Sequence, residues 1–362
     1  MQPRLIAFYL PQYHLIPEND AWWGMGFTEW TNVTRAQPLF RGHYQPHVPG
    51  ELGYYDLRSP QVRQAQADLA QAYGIDGFCY YHYWFNGKRL LEHPFNGVLA
   101  SGEPRLPFCL CWANQNWTRA WDGQHTQVLI GQNYSEQDDR EHIRWLVTAF
   151  RDERYLRIDG KPVFVVYQAG QLPEARRTTE IWREEARRAG VGDLYLCKIN
   201  SFQDDRQTPQ ASGFDAAIEF QPDTKQLLSP VEKAYWRIAQ KLNWRSGALI
   251  LDYGQWVKRV LAHTPPAYTC FPCVSPGWDN FARRKSGAFI LDNATPDAYE
   301  RWLTAAMQRF VPPTPDENLI FVNAWNEWAE GNHLESDQKW GRGFLEATRR
   351  ARHIAITDGA AA

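Results

Sequence analysis

The stretch FVNAWNEWAEGNHLESD, residues 321–337, decides both the fold and the site that the sequence predicts. It starts within an apolar run that is typical of a buried strand, and three carboxylates follow at once: Glu327, Glu330 and Glu335. On a continuous strand, residues 327 and 330 would point to opposite faces. Both can therefore enter one cavity only if the chain leaves extended geometry after Glu327, and Gly331 favours such a turn.

Tryptophans and asparagines are interleaved with these acids. Tryptophan faces, amides and paired carboxylates together are typical of a carbohydrate site. Cleavage of a glycosidic bond needs one carboxyl group to protonate the leaving oxygen and another to act as base or nucleophile. We therefore predict Glu327 and Glu330 as the catalytic pair. The alternative, three solvated loop acids, is disfavoured by the dense apolar and aromatic flanks.

Composition excludes several classes of partner. The 362 residues carry 39 basic and 41 acidic side chains, well mixed along the chain, for a net charge of -2. Such a balance provides no basic surface that would bind nucleic acid or an anionic membrane. Against only 3 Met there are 17 Trp, 17 Tyr and 18 Phe. Rings in such excess tend to line recognition surfaces, so an oligosaccharide or polysaccharide is the expected partner.

The amino terminus lacks the pattern of a signal peptide, and no apolar run reaches the length of a membrane span. The expectation is a cytoplasmic chain, or a piece of a longer protein, with no membrane insertion. The six cysteines lie mostly in apolar runs and are expected to be buried free thiols. Cys270 and Cys273 form a CxxC, but without a second such pair a zinc or redox site is disfavoured, so no metal is expected.

Short β-branched or aromatic runs alternate with helical patterns along the whole chain. The predicted strands are residues 5–9, 77–83, 108–113, 162–167, 194–199, 216–220, 269–274 and 319–324. Amphipathic helices lie between them, one of them capped by Ser59 before Pro60. This order predicts an α/β fold, a single (β/α)8 TIM barrel over residues 1–355, with a disordered tail at 356–362. Long loops rich in aromatic residues follow most strands, which predicts the site at the carboxyl-terminal face.

Five motifs carry a resemblance to a known family: FYLPQYH (8–14), WWGMGFTEWTNV (22–33), YYHYWF (80–85), CWANQNWTRAW (111–121) and NAWNEWAEGNHLE (323–335). In this order they resemble the WbsX-type domain, which is similar to glycoside hydrolase family 99, over residues 4–350. The resemblance implies a (β/α)8 barrel that cleaves α-mannosidic bonds inside a glycan chain, with retention and without metal or cofactor. The WbsX group is associated with biosynthesis regions for O-antigen, a part of lipopolysaccharide, and for other surface polysaccharides.

The resemblance also implies roles for the two glutamates. Glu327 is the base that deprotonates the 2-hydroxyl of the sugar, and Glu330 is the acid that protonates the leaving oxygen. The reaction then passes through a 1,2-anhydro sugar, which requires O2 trans to the leaving group, as in α-mannosides and α-rhamnosides. The chain departs from the motif at Ala329, where the family carries histidine, and at Asn332 and His333, where it carries Thr-Gln. These changes put the identity of the substrate in doubt. They affect the acid and base chemistry less.

Aromatic, amide and acidic side chains at the predicted strand ends are the expected ligands of sugar rings and hydroxyls. The predicted substrate-binding residues are Tyr9, Trp22, Glu29, Trp30, Tyr81, Trp112, Asn114, Asn116, Glu219, Trp278, Asn326, His333 and Glu335. A glycan-binding domain without turnover is the second hypothesis. Glycosyl transfer is the third, and it is weaker because Asp204-Asp205 is the nearest approach to a metal-binding DxD motif. The sequence leaves the oligomeric state open.

Overall fold

Eight parallel strands close into a barrel in the computed structural model, which describes residues 2–119, 124–200, 207–284 and 286–359. The barrel strands are β1 (Arg4–Tyr9), β2 (Gly77–Phe85), β3 (Phe108–Trp112), β4 (Lys161–Val166), β5 (Tyr195–Ile199), β6 (Ala216–Glu219), β7 (Cys270–Val274) and β8 (Leu319–Val322). Each strand pairs with its neighbours in chain order, and β1 pairs with both β2 and β8. The predicted (β/α)8 barrel is confirmed, with every strand boundary within two residues of its predicted place.

Helices cover the outside of the barrel, and shorter ones lie within its loops. They are α1 (Pro17–Trp23), α2 (Glu29–Arg35), α3 (Pro60–Ala72), α4 (His93–Ser101), α5 (Glu136–Phe150), α6 (Ala175–Arg188), α7 (Thr224–Leu227), α8 (Pro230–Leu242), α9 (Tyr253–Ala262), α10 (Pro296–Arg309) and α11 (Gly343–Gly359). The Ser59 hydroxyl accepts a hydrogen bond from the Val62 amide and caps α3, as its sequence predicts. Among the described residues, no helix has the length and apolar character needed to cross a membrane.

Aromatic side chains fill the barrel interior. The ring of Phe8 on β1 lies 5.6 Å from that of Tyr81, 5.2 Å from that of Phe220 and 5.5 Å from that of Phe321. These contacts join four sides of the barrel, so the interior is a packed core and not a pore. The space for a ligand therefore lies above this layer, at the carboxyl-terminal ends of the strands.

The cysteines are free, and all except the half-buried Cys270 are buried. Cys270 and Cys273 both lie on β7, three residues apart, so their side chains project to opposite faces of the strand. Two thiols on opposite faces cannot hold one metal ion together.

The loop after β8 reverses the chain. Asn326–Glu327 pairs antiparallel with Asn332–His333, and a 3-10 turn at Trp328–Glu330 joins the two short strands. We call residues 326–333 the catalytic hairpin, after the two glutamates that the sequence predicts as the catalytic pair. Gly331 has a φ of 54°, and a Cβ at this position would lie 2.9 Å from the Cβ of Asp279. The predicted departure from extended geometry after Glu327 is confirmed, and glycine is needed at the turn.

Two predictions concern residues at the limits of the structure. Helix α11 runs to Gly359, whereas the predicted tail starts at residue 356, and residues 360–362 lie outside the described part of the chain. Asp204 and Asp205 also lie outside it.

Candidate active site

A cavity of about 390 Å³ opens at the carboxyl-terminal ends of the barrel strands. The residues that line it follow or end strands β1, β2, β3, β4, β6 and β8, or belong to the long loop after β7. They are Leu10, Gln12, Tyr81, Tyr83, Ala113, Gln115, Trp117, Tyr167, Phe220, Pro222, Thr224, Trp236, Trp278, Asn280, Arg283, Arg284, Phe289, Glu327 and Glu330. The structure thus brings both predicted catalytic glutamates into one aromatic cavity.

One guanidinium group binds three glutamates at this cavity. Nη2 of Arg283 lies 2.7 Å from Oε2 of Glu327, and Nη1 lies 2.7 Å from Oε1 of Glu330. Nε of the same side chain lies 2.7 Å from Oε1 of Glu29. All four side chains are largely withdrawn from solvent, and that of Glu330, at 20% exposed, is the most accessible. Arg283 therefore fixes the two cavity carboxylates relative to each other.

The charges of this cluster do not balance if every carboxyl group is ionised, because three anions face one cation. Burial raises the pKa of Glu327 to about 8, with Arg283 opposing the rise and Glu330 adding to it. Burial also raises the pKa of Glu330, again against Arg283. The pair consequently retains a proton near neutral pH and can offer one acid and one base at once.

Tyr13 holds the catalytic hairpin to the barrel. Its hydroxyl donates to the Asn326 carbonyl at 2.6 Å and accepts from the Trp328 amide at 3.2 Å, so it contacts the backbone on both sides of Glu327. The side-chain amide of Asn326 binds the Leu10 amide at 2.7 Å and the Leu10 carbonyl at 3.0 Å. The loop after β1 thus sets the position of the loop after β8. Asn326, a predicted sugar ligand, has its amide engaged in this clamp.

Three predicted ligands of sugar border the open space. Tyr81 and Trp278 line the main cavity. Trp22 lines a second cavity, of about 580 Å³, which it shares with Arg283 and Arg284. Glu29 is fully buried below this region, and Asn32 donates to its Oε1 at 3.4 Å in addition to Arg283. Glu29 therefore contacts Arg283 and lines neither cavity.

Four other predicted ligands lie in the protein interior with internal partners, instead of at the cavity: Tyr9, Trp30, Trp112 and Asn114. The Tyr9 hydroxyl donates to Gln66, and the Trp30 indole donates to the Tyr55 carbonyl. Trp112 packs at 5.9 Å against Trp182 of α6, outside the barrel. The Asn114 amide binds the backbone of Gln168 through both its oxygen and its nitrogen. These side chains support the loops from below.

Glu335 is also buried, where it organises the catalytic hairpin. It accepts hydrogen bonds from Tyr55 at 2.7 Å, Gln66 at 2.6 Å and the Trp328 indole at 2.7 Å. Burial raises its pKa to about 7, although all three donors favour the ionised form. Its carboxylate orients Trp328, which lies in the turn between the two predicted catalytic glutamates.

Three further predicted ligands lie away from the main cavity. Asn116 is exposed and accepts from the Gln132 amide at 2.7 Å. Glu219 lies 3.8 Å from a ring nitrogen of His263 at the end of α9, and burial raises its pKa to about 7. His333 lines a separate small cavity beside the hairpin.

The sequence prediction missed Arg283, Tyr13, Tyr83 and Tyr167, all of which contact the catalytic hairpin or line the cavity. Tyr13 lies within the FYLPQYH motif, which was a usable signal. Arg283 lies in a short basic run, which on its own is typical of an exposed loop. Only the tertiary structure brings it to the glutamates.

The sequence matches a family model and two curated proteins over nearly its whole length. The family described as Glycosyltransferase WbsX matches residues 5–348. Two curated proteins of Xanthomonas campestris pv. campestris, both described as uncharacterized protein WxcX, are 44% identical over 348 residues, which is 96% of this chain and 49% of theirs. The chain thus spans about half the length of the curated relatives it matches.

Solved structures share the fold at low identity. A GH99 endo-alpha-mannosidase from Bacteroides thetaiotaomicron, in complex with bis-tris-propane, superposes with a TM-score of 0.60 at 15% identity, covering 99% of this chain and 98% of that one. A glycoside hydrolase-like protein superposes with a TM-score of 0.59 at 15% identity, and the match covers 97% of this chain and 94% of that one. The likeness to these two proteins concerns the (β/α)8 barrel fold. By the match over nearly all of its length, this chain belongs to the WbsX family.

Proposed function

We propose that this chain is a retaining glycoside hydrolase that acts on α-manno-configured linkages, α-mannosyl or α-rhamnosyl, inside a bacterial surface polysaccharide such as an O-antigen. The observation that carries the proposal is the pair Glu327 and Glu330, joined through Arg283 at the wall of an aromatic cavity. Binding alone does not need two closely spaced buried carboxyl groups, whereas glycoside cleavage needs one as acid and one as base or nucleophile.

The proposed reaction uses the retained proton. The pKa of about 8 belongs to Glu327, so this proton has to pass to Glu330 when the substrate binds. Glu330 then gives it to the leaving glycosidic oxygen, and the ionised Glu327 takes the proton of the sugar 2-hydroxyl. O2 then attacks C1, the glycosidic bond breaks, and a 1,2-anhydro sugar forms. In the second step Glu330 takes a proton from water, the water oxygen opens the three-membered ring at C1, and Glu327 returns its proton to O2. Two inversions at C1 give net retention.

The exposures of the two carboxyl groups support this division of roles. Glu330 is the more accessible at 20%, as an acid needs to be if it is to reach the oxygen between two sugars. Glu327 is 6% exposed and lies deeper, beside the ring whose 2-hydroxyl it deprotonates. Arg283 engages one oxygen of each carboxylate, which leaves the other oxygen of each for the substrate.

The neighbouring cavity supports an endo mode of action. Arg283 and Arg284 line both spaces, so the binding surface continues past the catalytic pair. Trp22, Trp23 and Phe27 also line that second space. Sugar units on either side of the cleaved bond would then each meet aromatic faces, as a polysaccharide chain requires.

Glycosyl transfer is the second candidate, because the family description names it and because Arg284 gives the main cavity a further cation. A nucleotide-sugar donor brings two phosphates, however, and Arg283 is already neutralised by carboxylates. Among the described residues that line the main cavity, Arg283 and Arg284 are the basic ones. Hydrolysis fits this charge balance better.

The experiment is product detection by mass spectrometry. The unaltered chain, Glu327→Gln and Glu330→Gln would each be incubated with α-mannan, α-rhamnan, bacterial surface polysaccharides and nucleotide sugars. Cleavage of a polysaccharide that both variants lose supports hydrolysis. Glu219→Gln is the matched control, because this strand-end glutamate faces His263 and should leave cleavage intact. Turnover of a nucleotide sugar alone would establish transfer, and equal glycan binding by all variants without turnover would establish a binding module.

A further inference from the structure

A small cavity of about 60 Å³ lies beside the catalytic hairpin and shares Trp278 with the aromatic site. Three potential metal ligands meet there: His47, His333 and Asp337 each present one ligand atom, and these atoms all lie within 4.8 Å of one another. Nδ1 of His47 is 2.8 Å from Nε2 of His333. His47 comes from the long segment between β1 and β2, and the other two residues follow β8. The cluster therefore joins two distant parts of the chain.

Hydrogen bonds already orient two of the three ligands. Nδ1 of His333 lies 3.0 Å from the Glu335 carbonyl, an acceptor, so Nδ1 carries the proton and the lone pair of Nε2 faces the cluster. Its ring stacks on Trp328 at 3.7 Å. Asp337 accepts from the Tyr44 hydroxyl at 3.1 Å and from the Trp340 amide at 2.6 Å. Partners of this kind are what fix the ligands of protein metal sites.

The ammonium group of Lys339 does not neutralise this group of three ligands. Lys339 lines the same cavity, but its ammonium lies over the ring of Tyr44, 4.6 Å from the centroid, and 5.1 Å from that of Trp340. No ion pair between Lys339 and Asp337 is present among the described residues. The carboxylate of Asp337 accepts hydrogen bonds but forms no ion pair among the described residues, so its charge can balance a bound cation.

We propose that His47, His333 and Asp337 bind one divalent transition-metal ion, Zn²⁺ or an ion of similar preference, with water completing the coordination. Two imidazoles and one carboxylate suit zinc and cobalt, whereas magnesium and calcium prefer oxygen ligands alone. The ion goes beyond the proposed function, because the glycosidic chemistry at Glu327 and Glu330 does not use it. It is a clamp that ties the segment around His47 to the catalytic hairpin.

A second histidine pair provides a matched control. Nε2 of His82 lies 2.9 Å from Nε2 of His142, and both rings stack on tryptophans. Among the described residues, no carboxylate completes a metal-ligand group with this pair. It is a buried imidazole contact of nearly the same length without the third ligand. His142→Gln should therefore leave metal binding unchanged.

The test is metal binding by the full chain. After treatment with a chelator, the unaltered protein, Asp337→Asn and His142→Gln would be dialysed against Zn²⁺, and the bound metal measured by mass spectrometry. We expect about one equivalent in the unaltered protein and in His142→Gln, and an affinity lower by at least about tenfold in Asp337→Asn. Equal zinc in the unaltered protein and Asp337→Asn would overturn the proposal.

Two further measurements, cobalt absorption and melting temperature, test metal binding without relying on the zinc content of the variants. Co²⁺ added to the unaltered protein should give the visible absorption of a low-symmetry site with nitrogen ligands, and Mg²⁺ in excess should not remove it. Zn²⁺ should also raise the melting temperature of the unaltered protein more than that of Asp337→Asn, because an ion that binds only the native state stabilises it more when it binds more tightly. Featureless cobalt spectra together with an unchanged melting temperature would contradict the clamp.

Discussion

Nη2 of Arg283 lies 2.7 Å from Oε2 of Glu327, and this contact connects the loop after β7 to the catalytic hairpin after β8. The same guanidinium also binds Glu330 and Glu29. Its position makes Arg283 the residue that holds two acids at a fixed spacing and keeps their combined charge low enough for burial. Arg283 is therefore as important to the geometry of the site as the glutamates are.

Replacement of Arg283 should separate the effect of its charge from that of its shape. Arg283→Lys keeps a cation but cannot contact three carboxylates in one plane, and Arg283→Met removes the cation. We expect both to lower kcat/KM, by about 100-fold or more, with Met the more severe because it leaves three acids without a counter-charge. The measurement is steady-state kinetics on the glycan identified by the product screen. Full activity in Arg283→Met would show that Arg283 has no part in the reaction.

The pH dependence should report the shared proton. Activity requires one carboxyl group protonated and the other ionised, so kcat/KM should follow a bell-shaped profile. Arg283 lowers the pKa of both Glu327 and Glu330 against the effect of burial. In Arg283→Lys, whose ammonium neutralises the pair less completely, both limbs should therefore move to higher pH. A shift of either limb to lower pH would contradict this electrostatic account.

Glu335 should make stability depend on pH. Its pKa is raised from 4.5 to about 7 in the folded protein, so the folded state binds more protons than the unfolded state between these values. The free energy of unfolding should fall as pH rises through this window, with a contribution of about 1.4 kcal/mol per pH unit from this group. Urea unfolding at several pH values measures the slope. Glu335→Gln should reduce the slope by that contribution, and an unchanged slope would rule out Glu335 as its source.

Tyr13→Phe should lower kcat by more than its loss of folding stability can explain. The change removes the two hydrogen bonds that fix the backbone around Glu327 and should cost about 1–3 kcal/mol of stability. It should also lower kcat with less effect on KM, because the catalytic hairpin shifts. Tyr155→Phe is the matched control: that hydroxyl donates to the Val163 carbonyl at 2.9 Å and accepts from the Leu110 amide at 3.2 Å, away from the cavity. Equal losses of kcat in both variants would show that Tyr13 acts only through the stability of the fold.

Trp278 and Trp112 should behave differently, although the sequence predicts both as sugar ligands. Trp278 is half-buried at the cavity wall, so Trp278→Ala should raise KM several-fold with a small change in melting temperature. Trp112 is 1% exposed in the core, so Trp112→Ala should destabilise by about 3–5 kcal/mol. Thermal unfolding and kinetics on both variants check this contrast. A raised KM in Trp112→Ala at temperatures where it is fully folded would restore Trp112 as a ligand.

The barrel could be predicted because its signals are local. Each strand is a short apolar run between turn residues, and each boundary needs only its neighbours in sequence. The turn at Gly331 could be inferred because two acids three residues apart cannot share a cavity on an extended strand. Local pattern was sufficient for these features.

The direction in which a barrel side chain points could not be predicted in the same way. Strands of a parallel barrel are apolar on both faces, so periodicity does not distinguish the interior from the helix layer. Trp112 pairs in register with His82, and both contact His142 on α5. Their neighbours Cys111 and Tyr81 form the adjacent register pair, on the opposite face. The sequence alone therefore predicted Trp112 at the cavity, whereas the fold places it under the helices.

The most direct test of the central claim is the anomeric form of the first product. Proton NMR during cleavage of the identified glycan would follow the new reducing end before mutarotation. With net retention the α anomer should appear first, and Glu327→Gln and Glu330→Gln should each abolish its formation. A β anomer as the first product, or cleavage that persists undiminished in both variants, would contradict a retaining reaction at this pair of glutamates.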